Sequence, residues 1–231
     1  MNSADPNITV LELVAEAIGS LREELVLVGG CSVGLLISDI ARPPVRQTVD
    51  VDMVVQAVSL NEYYRTSEQL RALGFNEASD EAIMCRWKRG GLILDVLPSD
   101  QSALGHSTNP WYPAAVEFAQ TYVLPSGLQI RLITAPLFVA TKFEAFLGRG
   151  EGNHLHHDME DIVNLVDGRV ELMKEVTASK DDVKKYLREA VDELTTNEAF
   201  LDKLPGHFST DATSQVRVAV VLERMRKLAG L

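Results

Sequence analysis

The sequence has only two cysteines, Cys31 and Cys85, among 231 residues. Both stand in apolar surroundings, so we expect two reduced, buried thiols and no disulfide. No apolar run reaches the roughly 18 residues that a membrane-spanning helix needs, so no membrane span is expected. The first six residues lack both a basic start and an apolar core, and no signal peptide is expected there. Together these absences favour a cytoplasmic protein.

Positive charge is also scarce. The 22 Lys and Arg residues stand against 33 Asp and Glu residues, which gives a formal net charge of −11. Broad, non-specific binding of nucleic acid needs a basic surface, so the composition argues against that class of function. A small local basic patch is still compatible with this charge, and a bound divalent cation would offset part of the acidic excess.

The pattern of hydrophobic residues changes at about residue 134. Before it, short apolar strands alternate with helices, and after it the spacing is helical throughout. We therefore expect an α+β fold, with a mixed sheet flanked by helices in a domain at 1–134 and an all-helical domain at 135–231. The expected strands are 24–28, 48–55, 82–88, 92–97, 122–124 and 128–132. The expected helices are 8–21, 31–41, 60–73, 135–147, 157–166, 181–194, 198–204 and 213–228.

Two carboxylates, Asp50 and Asp52, stand one residue apart in an apolar run. Residues i and i+2 of a strand point to the same face, so both side chains project together. Two like charges side by side repel each other, and such a pair is usually kept by a cation or by water at a strand end. Asp95 lies on a separate apolar strand that would lie beside the pair if the strands are neighbours. Three converging carboxylates form a hard-cation site of the Mg²⁺ or Mn²⁺ type, whereas each Asp alone is compatible with a solvated strand end.

A glycine pair, Gly29-Gly30, ends a short apolar strand and precedes a helix. Because glycine has no Cβ, the backbone here is able to approach a phosphate closely, and helix N-terminal amides would then face the anion. Ser32 offers a hydroxyl donor to the same group. The alternative is a tight strand-to-helix turn, and the glycine pair alone does not decide between the two.

In combination, these elements resemble the nucleotidyltransferase fold of the polymerase-β superfamily. The blocks Gly-Gly-Cys-Ser-x-Gly-Leu-Leu at 29–36 and Arg-x-Thr-x-Asp-x-Asp at 46–52 are similar to the AbiEii/AbiGii-type toxin nucleotidyltransferases, the group that includes the MenT toxins. A downstream helix lysine, Lys142, and the block Asp-Met-Glu-Asp-Ile at 158–162 also match that group's pattern. The resemblance covers about residues 25–167, with a cysteine at position 31 where the group usually has threonine.

The resemblance implies a metal-dependent enzyme that moves an NMP from an NTP to an acceptor hydroxyl. Asp50 and Asp52 would bind the catalytic Mg²⁺ or Mn²⁺, with Asp95 as a third ligand or as a base. Lys142 would neutralise the triphosphate as a mobile point charge, and Asp161 would position that lysine, the nucleotide or a helix–helix contact. The implied catalytic residues are Asp50, Asp52, Lys142 and Asp161; the implied nucleotide-binding residues are Gly29, Gly30, Ser32, Arg46 and Lys142; the implied metal ligands are Asp50, Asp52 and Asp95.

The acceptor stays open. The resemblance implies a tRNA 3′ end, which would make the chain a growth-arresting toxin with a cognate antitoxin as partner. An acidic chain instead suits a small polycation such as an aminoglycoside, and a third alternative is a catalytically silent partner-binding domain of the same fold. A tRNA acceptor would need a basic face, for which the candidates are Lys142, Arg149, Lys174, Lys180, Lys184, Lys185 and Arg188.

A second group of possible metal ligands is the run His154-Leu155-His156-His157-Asp158. Histidine and aspartate at close spacing bind Zn²⁺ in many proteins, but here no Cys or Glu partner recurs at metal-ligand spacing. We therefore expect His154 and His156 to be exposed and His157 to lie at a helix start. Arg149, between Gly148 and Gly150, is a further candidate for contact with a phosphate.

Overall fold

The computed structural model describes residues 5–39, 45–78, 85–100, 103 and 109–230. Contacts between Cα atoms divide the chain into two compact units. The described residues of 5–35 and 45–134 form one of them, here called the sheet unit. Residues 36–39 and 135–230 belong to the other, here called the helical unit.

The sheet unit is built on a mixed sheet of seven strands. The strands are β1 (Val26–Leu27), β2 (Val51–Val55), β3 (Asn76–Glu77), β4 (Arg86–Arg89), β5 (Leu92–Pro98), β6 (Gln120–Val123) and β7 (Gln129–Leu132). They lie in the order β3-β4-β5-β2-β1-β7-β6. The pairs β2–β5 and β1–β7 are parallel, and the other four neighbouring pairs are antiparallel. The mixed sheet expected from the sequence is confirmed.

Helices flank this sheet. Up to residue 134 the described helices are α1 (Ile8–Ala17), α2 (Val33–Leu36), α3 (Leu60–Ala72) and α4 (Tyr112–Glu117). Helix α3 begins at Leu60, as expected, because the residues before it form an N-terminal cap. Oγ of Ser59 accepts from the Glu62 amide, and the Glu62 carboxylate accepts from the Val58 amide, so two otherwise unpaired donors are satisfied.

The helical unit contains the rest of the described chain. Its helices are α5 (Ala135–Arg149), α6 (His157–Gly168), α7 (Leu172–Thr177), α8 (Asp181–Thr196), α9 (Glu198–Lys203) and α10 (Ala212–Ala229). α6 is buried along most of its length and packs against α5 and α10, and α10 also packs against α8. The all-helical part after residue 134 is therefore confirmed. Among the described residues, no helix has both the length and the apolar character that crossing a bilayer requires.

One expected helix, 31–41, is far shorter than its apolar spacing predicts. A 3₁₀ turn at Gly30–Ser32 leads into α2, which ends at Leu36. The helix stops because the amides of Ser38 and Asp39 donate to the Gly168 carbonyl at the end of α6 rather than to their own turn. Residues 40 and 41 of the expected helix lie outside the described residues.

Three short elements, β3, α4 and α7, are present without having been predicted. Each has six residues or fewer, which is too short for a hydrophobic period to be recognised. The expected strand at 82–88 is described only from residue 85, with β4 beginning at Arg86. The expected strand at 48–55 begins only at Val51, because main-chain groups before it are bound by side chains, as described below.

Candidate active site

The turn after β1 brings the backbone against a carboxylate of β2. The Val28 amide donates to the Asp52 carbonyl at 3.0 Å, which extends the pairing of β1 and β2 by one residue. A Cβ on the next residue, Gly29, would lie 1.7 Å from Oδ2 of Asp52. Only glycine therefore lets this carboxylate lie against the chain. Gly30 follows and begins the buried 3₁₀ turn.

A guanidinium joins the other two carboxylates of the predicted set. Nη2 of Arg86 donates to Oδ2 of Asp50 at 2.6 Å. Nε and Nη2 of the same arginine donate to Oδ1 and Oδ2 of Asp95, both at 2.8 Å. The side chains of Arg86 and Asp95 are only 11% and 8% exposed, whereas that of Asp50 is 35% exposed. Asp50 and Asp95 are thus brought together through an arginine.

Strand register explains this arrangement. Asp52 of β2 stands opposite Asp95 in the parallel pair β2–β5, and Arg86 of β4 stands opposite Asp95 in the antiparallel pair β4–β5. Residues opposite each other in neighbouring strands share a face of the sheet. Arg86, Asp95 and Asp52 therefore form one row across three strands, and Asp50 stands two residues before Asp52, just outside β2.

Asn7 fixes the segment that leads into this row. Its side chain is fully buried, and Nδ2 donates to the Arg46 carbonyl at 3.1 Å. Its Oδ1 accepts from the Thr48 amide at 2.9 Å. The side-chain amide thus takes the Thr48 amide, and the Asp50 carbonyl accepts from the Cys31 and Thr48 side chains, so these groups do not pair in the sheet and β2 begins only at Val51.

Thr48 also contacts Cys31, with 2.6 Å between Oγ1 and Sγ. Burial, together with the nearby carboxylates, raises the pKa of the Cys31 thiol to about 12. The thiol therefore stays protonated at neutral pH and is not an activated nucleophile. Both cysteines are free and buried.

Ser32 directs its hydroxyl inward. Oγ lies 3.1 Å from the Val28 carbonyl oxygen and 2.8 Å from that of Gly29. A hydroxyl has one hydrogen, and here it points at main-chain acceptors, which leaves only acceptor lone pairs for a ligand. A phosphate oxygen needs a donor, so the phosphate-binding role predicted for Ser32 requires this hydrogen to change partner.

Lys142 lies in the helical unit and is buried there. Nζ is 3.1 Å from Oδ1 of Asp158 and 2.7 Å from Oδ2 of Asp161, both carried by α6. The Lys142 side chain is 7% exposed. The structure thus brings together the two residues of the predicted site that lie in this unit, Lys142 and Asp161, and adds Asp158.

Asp158 has a second basic partner. Nε and Nη2 of Arg149 donate to its two carboxylate oxygens at 2.8 and 2.9 Å. Burial raises the pKa of the Asp158 carboxyl. The hydrogen bonds from Arg149 and the charges of Lys142 and Arg149 outweigh burial and hold that pKa well below its usual range. Arg149 itself is 58% exposed, so Asp158 joins a buried lysine to a solvent-facing arginine.

His156, His157 and Asp158 form a cluster of possible metal ligands. Their donor atoms lie within 4.8 Å of one another, and the described residues contain no other such group of three or more. Spacing alone would allow a metal ion there. However, Asp158 is already neutralised by Lys142 and Arg149, and Nδ1 of His156 accepts from the Asp158 amide at 3.2 Å as the N-cap of α6. A metal would have to displace these partners, so the group fits a helix cap better than a metal centre.

Two of the histidine expectations are corrected. His156 is half-buried because it caps α6. His154 is half-buried too: its ring stacks on Phe146 at 5.6 Å between centroids and meets Phe200 edge-on at 5.7 Å. His157 does begin α6 and is exposed, as expected.

The carboxylate row offers the ligand chemistry of a hard cation. Carboxylate oxygens are the donors that Mg²⁺ and Mn²⁺ prefer. Asp52 lies against the Gly29 turn and Asp50 stands two residues before it, so this pair offers carboxylate oxygens to such a cation. Both oxygens of Asp95 accept from Arg86, so Asp95 could coordinate a metal only by giving up a contact with this arginine.

The detectable similarity of this chain to known proteins is limited. No family model matches the chain, and no curated protein matches it. The chain is similar to the crystal structure of an antigenic nucleotidyltransferase-like protein from Paracoccidioides brasiliensis, with 18% sequence identity and a TM-score of 0.49. The similarity covers 87% of this chain and 94% of that one. At this level of similarity, function has to be argued from the residues of this chain.

Two residues that position the carboxylates, Arg86 and Asn7, were not predicted as site residues. A signal existed for Arg86. The Gly90-Gly91 turn predicts a tight hairpin, and counting back from it places Arg86 opposite Asp95. Asp158 was predicted only as a member of a possible metal-ligand run, not as a partner of Lys142. For Asn7 the sequence carries no local signal, because its partners lie 39 and 41 residues away.

Proposed function

We propose that this chain is a metal-dependent nucleotidyltransferase that moves an NMP from an NTP to an acceptor hydroxyl. The observation that carries the proposal is the carboxylate row of the sheet unit beside the Gly29 turn. Asp52 stands opposite Asp95 across the parallel pair, and Arg86 links Asp95 to Asp50. Mutually repelling carboxylates in one part of a fold are expected where the fold handles multivalent cations and phosphates.

In the proposed reaction, the acceptor oxygen forms a bond to the α-phosphorus of the NTP. The bond from that phosphorus to the bridging oxygen breaks, pyrophosphate leaves with the electron pair, and the hydroxyl proton passes to a base. Mg²⁺ or Mn²⁺, when bound, would orient the triphosphate and neutralise developing charge. Asp50 and Asp52 would hold the metal, and the Gly29-Gly30 backbone would leave room beside Asp52. The resemblance implies Lys142 as the residue that neutralises the triphosphate; within the helical unit, its ammonium group is held by Asp158 and Asp161.

The decisive experiment measures transfer of label from NTPs labelled at the α-phosphate, in Mg²⁺ or Mn²⁺, to total tRNA. Wild-type protein is compared with Asp52→Asn and with the control Asp202→Asn, an exposed carboxylate on α9. Loss of about a hundredfold or more in Asp52→Asn alone is expected. Equal rates for Asp52→Asn and wild type would exclude the proposed site.

As the finer part of the proposal, the acceptor is a tRNA 3′ end and the chain is a toxin with an antitoxin partner. Helix α8 supports a tRNA contact to the extent that Lys184, Lys185 and Arg188 stand at helical spacing near its start. Lys142 does not contribute to such a surface, since its side chain is buried. Inducible expression of the wild type is expected to arrest growth, and expression of Asp50→Ala is not. Normal growth with the wild type would contradict the toxin role.

A second acceptor class is favoured by one observation, the net charge of −11. An acidic protein attracts a polycation and repels a polyanion, so a small molecule such as an aminoglycoside suits the charge better than tRNA does. The same assay with an aminoglycoside in place of tRNA separates the two acceptors. Label on the small molecule with none on tRNA would select this alternative, and no transfer to any hydroxyl would favour a catalytically silent binding domain.

A further inference from the structure

Arg86 occupies the position that a cation shared by Asp50 and Asp95 would take. Its guanidinium reaches both carboxylates, at 2.6 Å on Asp50 and at 2.8 Å twice on Asp95. A carboxylate oxygen that accepts from a guanidinium has to give up that contact in order to coordinate a metal ion along the same direction. Arg86 and a divalent cation therefore compete for the same oxygens.

The contacts that Arg86 makes with Asp95 and with Asp50 differ in strength. With Asp95 it makes a bidentate pair in which both side chains are about nine-tenths buried, which is the strong geometry for an arginine and a carboxylate. With Asp50 it makes one contact to a carboxylate that is 35% exposed. The contact to Asp50 is therefore the one that yields more easily to a competing cation.

We propose that Arg86 is a built-in cation that competes with the divalent metal for Asp50, and that Asp95 anchors Arg86 rather than binding the metal. This inference rests on the proposed function, since it takes Asp50 and Asp52 as the metal site. Asp95 is then a positioning residue that acts through Arg86. When a metal binds, Asp50 exchanges the guanidinium for the metal, and the buried pair of Arg86 with Asp95 stays intact.

The alternative, in which Asp95 is a third metal ligand, requires Arg86 to leave both oxygens of Asp95. That exchange would leave a mostly buried guanidinium without its bidentate partner, which is a costly arrangement. Strand register makes such a departure harder, because Arg86 and Asp95 stand directly opposite each other in the antiparallel pair β4–β5.

The test measures the binding of Mn²⁺ alone, without nucleotide. The amount bound is obtained from the electron paramagnetic resonance signal of the free ion. The informative variant is Arg86→Gln/Asp95→Asn, which replaces the ion pair by two amides able to hydrogen-bond each other. Because one positive and one negative charge are removed together, the net charge is unchanged. General attraction of cations is therefore the same as in the wild type.

We expect this double variant to bind Mn²⁺ about tenfold more tightly than the wild type, because the competitor is gone and Asp95 is not needed. Unchanged affinity would overturn the inference, because it would mean that Arg86 does not compete. Weaker binding would overturn it as well, because it would mean that Asp95 is a ligand. Arg131→Gln/Asp202→Asn is the control, because it also removes one positive and one negative charge, at a strand arginine that binds the carbonyls of Glu24 and Val116 and at an exposed carboxylate. Its affinity is expected to match the wild type.

Two further measurements keep the result interpretable. If the amide pair does not fold, as judged by circular dichroism, Arg86→Met/Asp95→Leu supplies a second neutral pair with the same expected direction. Asp52→Asn tests the proposed function separately, because it should lose Mn²⁺ binding whatever Arg86 does. If Asp52→Asn loses Mn²⁺ binding but the double variant does not bind Mn²⁺ more tightly, only the inference about Arg86 is overturned. If Asp52→Asn binds Mn²⁺ as the wild type does, the proposed metal site itself is overturned.

Discussion

The carboxylate of Asp52 lies directly over the Cα of Gly29. A Cβ at position 29 would be 1.7 Å from Oδ2, 2.4 Å from Cγ and 2.5 Å from Cβ of Asp52. Rotation of the aspartate moves its oxygens away but cannot move its own Cβ, so the overlap is not relieved by a change of rotamer. The identity of residue 29 therefore controls where the Asp52 carboxylate stands.

Replacing Gly29 by alanine is expected to displace Asp52 and to destabilise the protein by about 1–3 kcal/mol, the usual cost of overpacking a buried site. Loss of Mn²⁺ binding should accompany it. Urea denaturation measures the stability, and Gly91→Ala is the control because a Cβ there meets no atom within 4 Å. If Gly29→Ala matched Gly91→Ala in both measurements, the contact would not constrain Asp52.

The part of the site that sequence reasoning could predict is the part encoded by local patterns. The alternation around Asp50 and Asp52 predicts a shared face, and the glycine pair predicts a close approach. In the structure, the backbone at Gly29 lies against the Asp52 carboxylate, whereas the prediction was a close approach to a phosphate. That difference could not be foreseen, because the pairing of β1 with β2 is set by the whole sheet order.

Long-range partners explain the remaining differences. The expected helix at 31–41 ends early because a carbonyl of α6, at Gly168, captures two amides that the helix would otherwise use. The pairing of Lys142 with Asp161 joins two different helices, and helical spacing within either one does not predict it. Periodicity reports which face of an element is buried, but it does not identify the group on the other side.

Asn7 is expected to control the approach to Asp50. Asn7→Ala would remove the hydrogen bonds that the Arg46 carbonyl and the Thr48 amide make with this buried side chain, at a cost of about 1–3 kcal/mol each. We expect a clear loss of stability in urea together with weaker Mn²⁺ binding. The control is Asn197→Ala, which removes a helix cap in the helical unit at a cost of about 1 kcal/mol. Normal metal binding by Asn7→Ala would show that Asn7 supports the fold but not the site.

Asp158 predicts a specific pH dependence of stability. Its pKa is lower in the folded protein than in the unfolded chain, so its contribution is complete above the unfolded pKa of about 4 and is lost as the pH falls toward the folded value. Asp158→Asn should therefore lie well below the wild type in unfolding free energy at about pH 6, and the gap should narrow at about pH 3. Asp202→Asn, which removes an exposed carboxylate of the same unit, is the control and should show no such narrowing. A constant gap for Asp158→Asn would mean that Asp158 is not stabilised by Lys142 and Arg149.

The two thiols provide a test of the packing around the carboxylate row. Burial and the nearby carboxylates raise the pKa of Cys31 to about 12, so only about one molecule in ten thousand carries the thiolate at about pH 8. Burial raises the pKa of Cys85 too. A thiol-reactive disulfide dye should therefore detect no fast-reacting thiol in the native protein and two after unfolding in urea.

Gly29→Ala should speed the reaction of Cys31 with the dye by loosening the turn, and Gly91→Ala should not. The variant Cys85→Ala shows which part of the signal comes from Cys31. Rapid labelling of Cys31 in the native wild type would show that the segment from Gly29 to Thr48 opens readily, contrary to the close packing of Cys31 against Thr48.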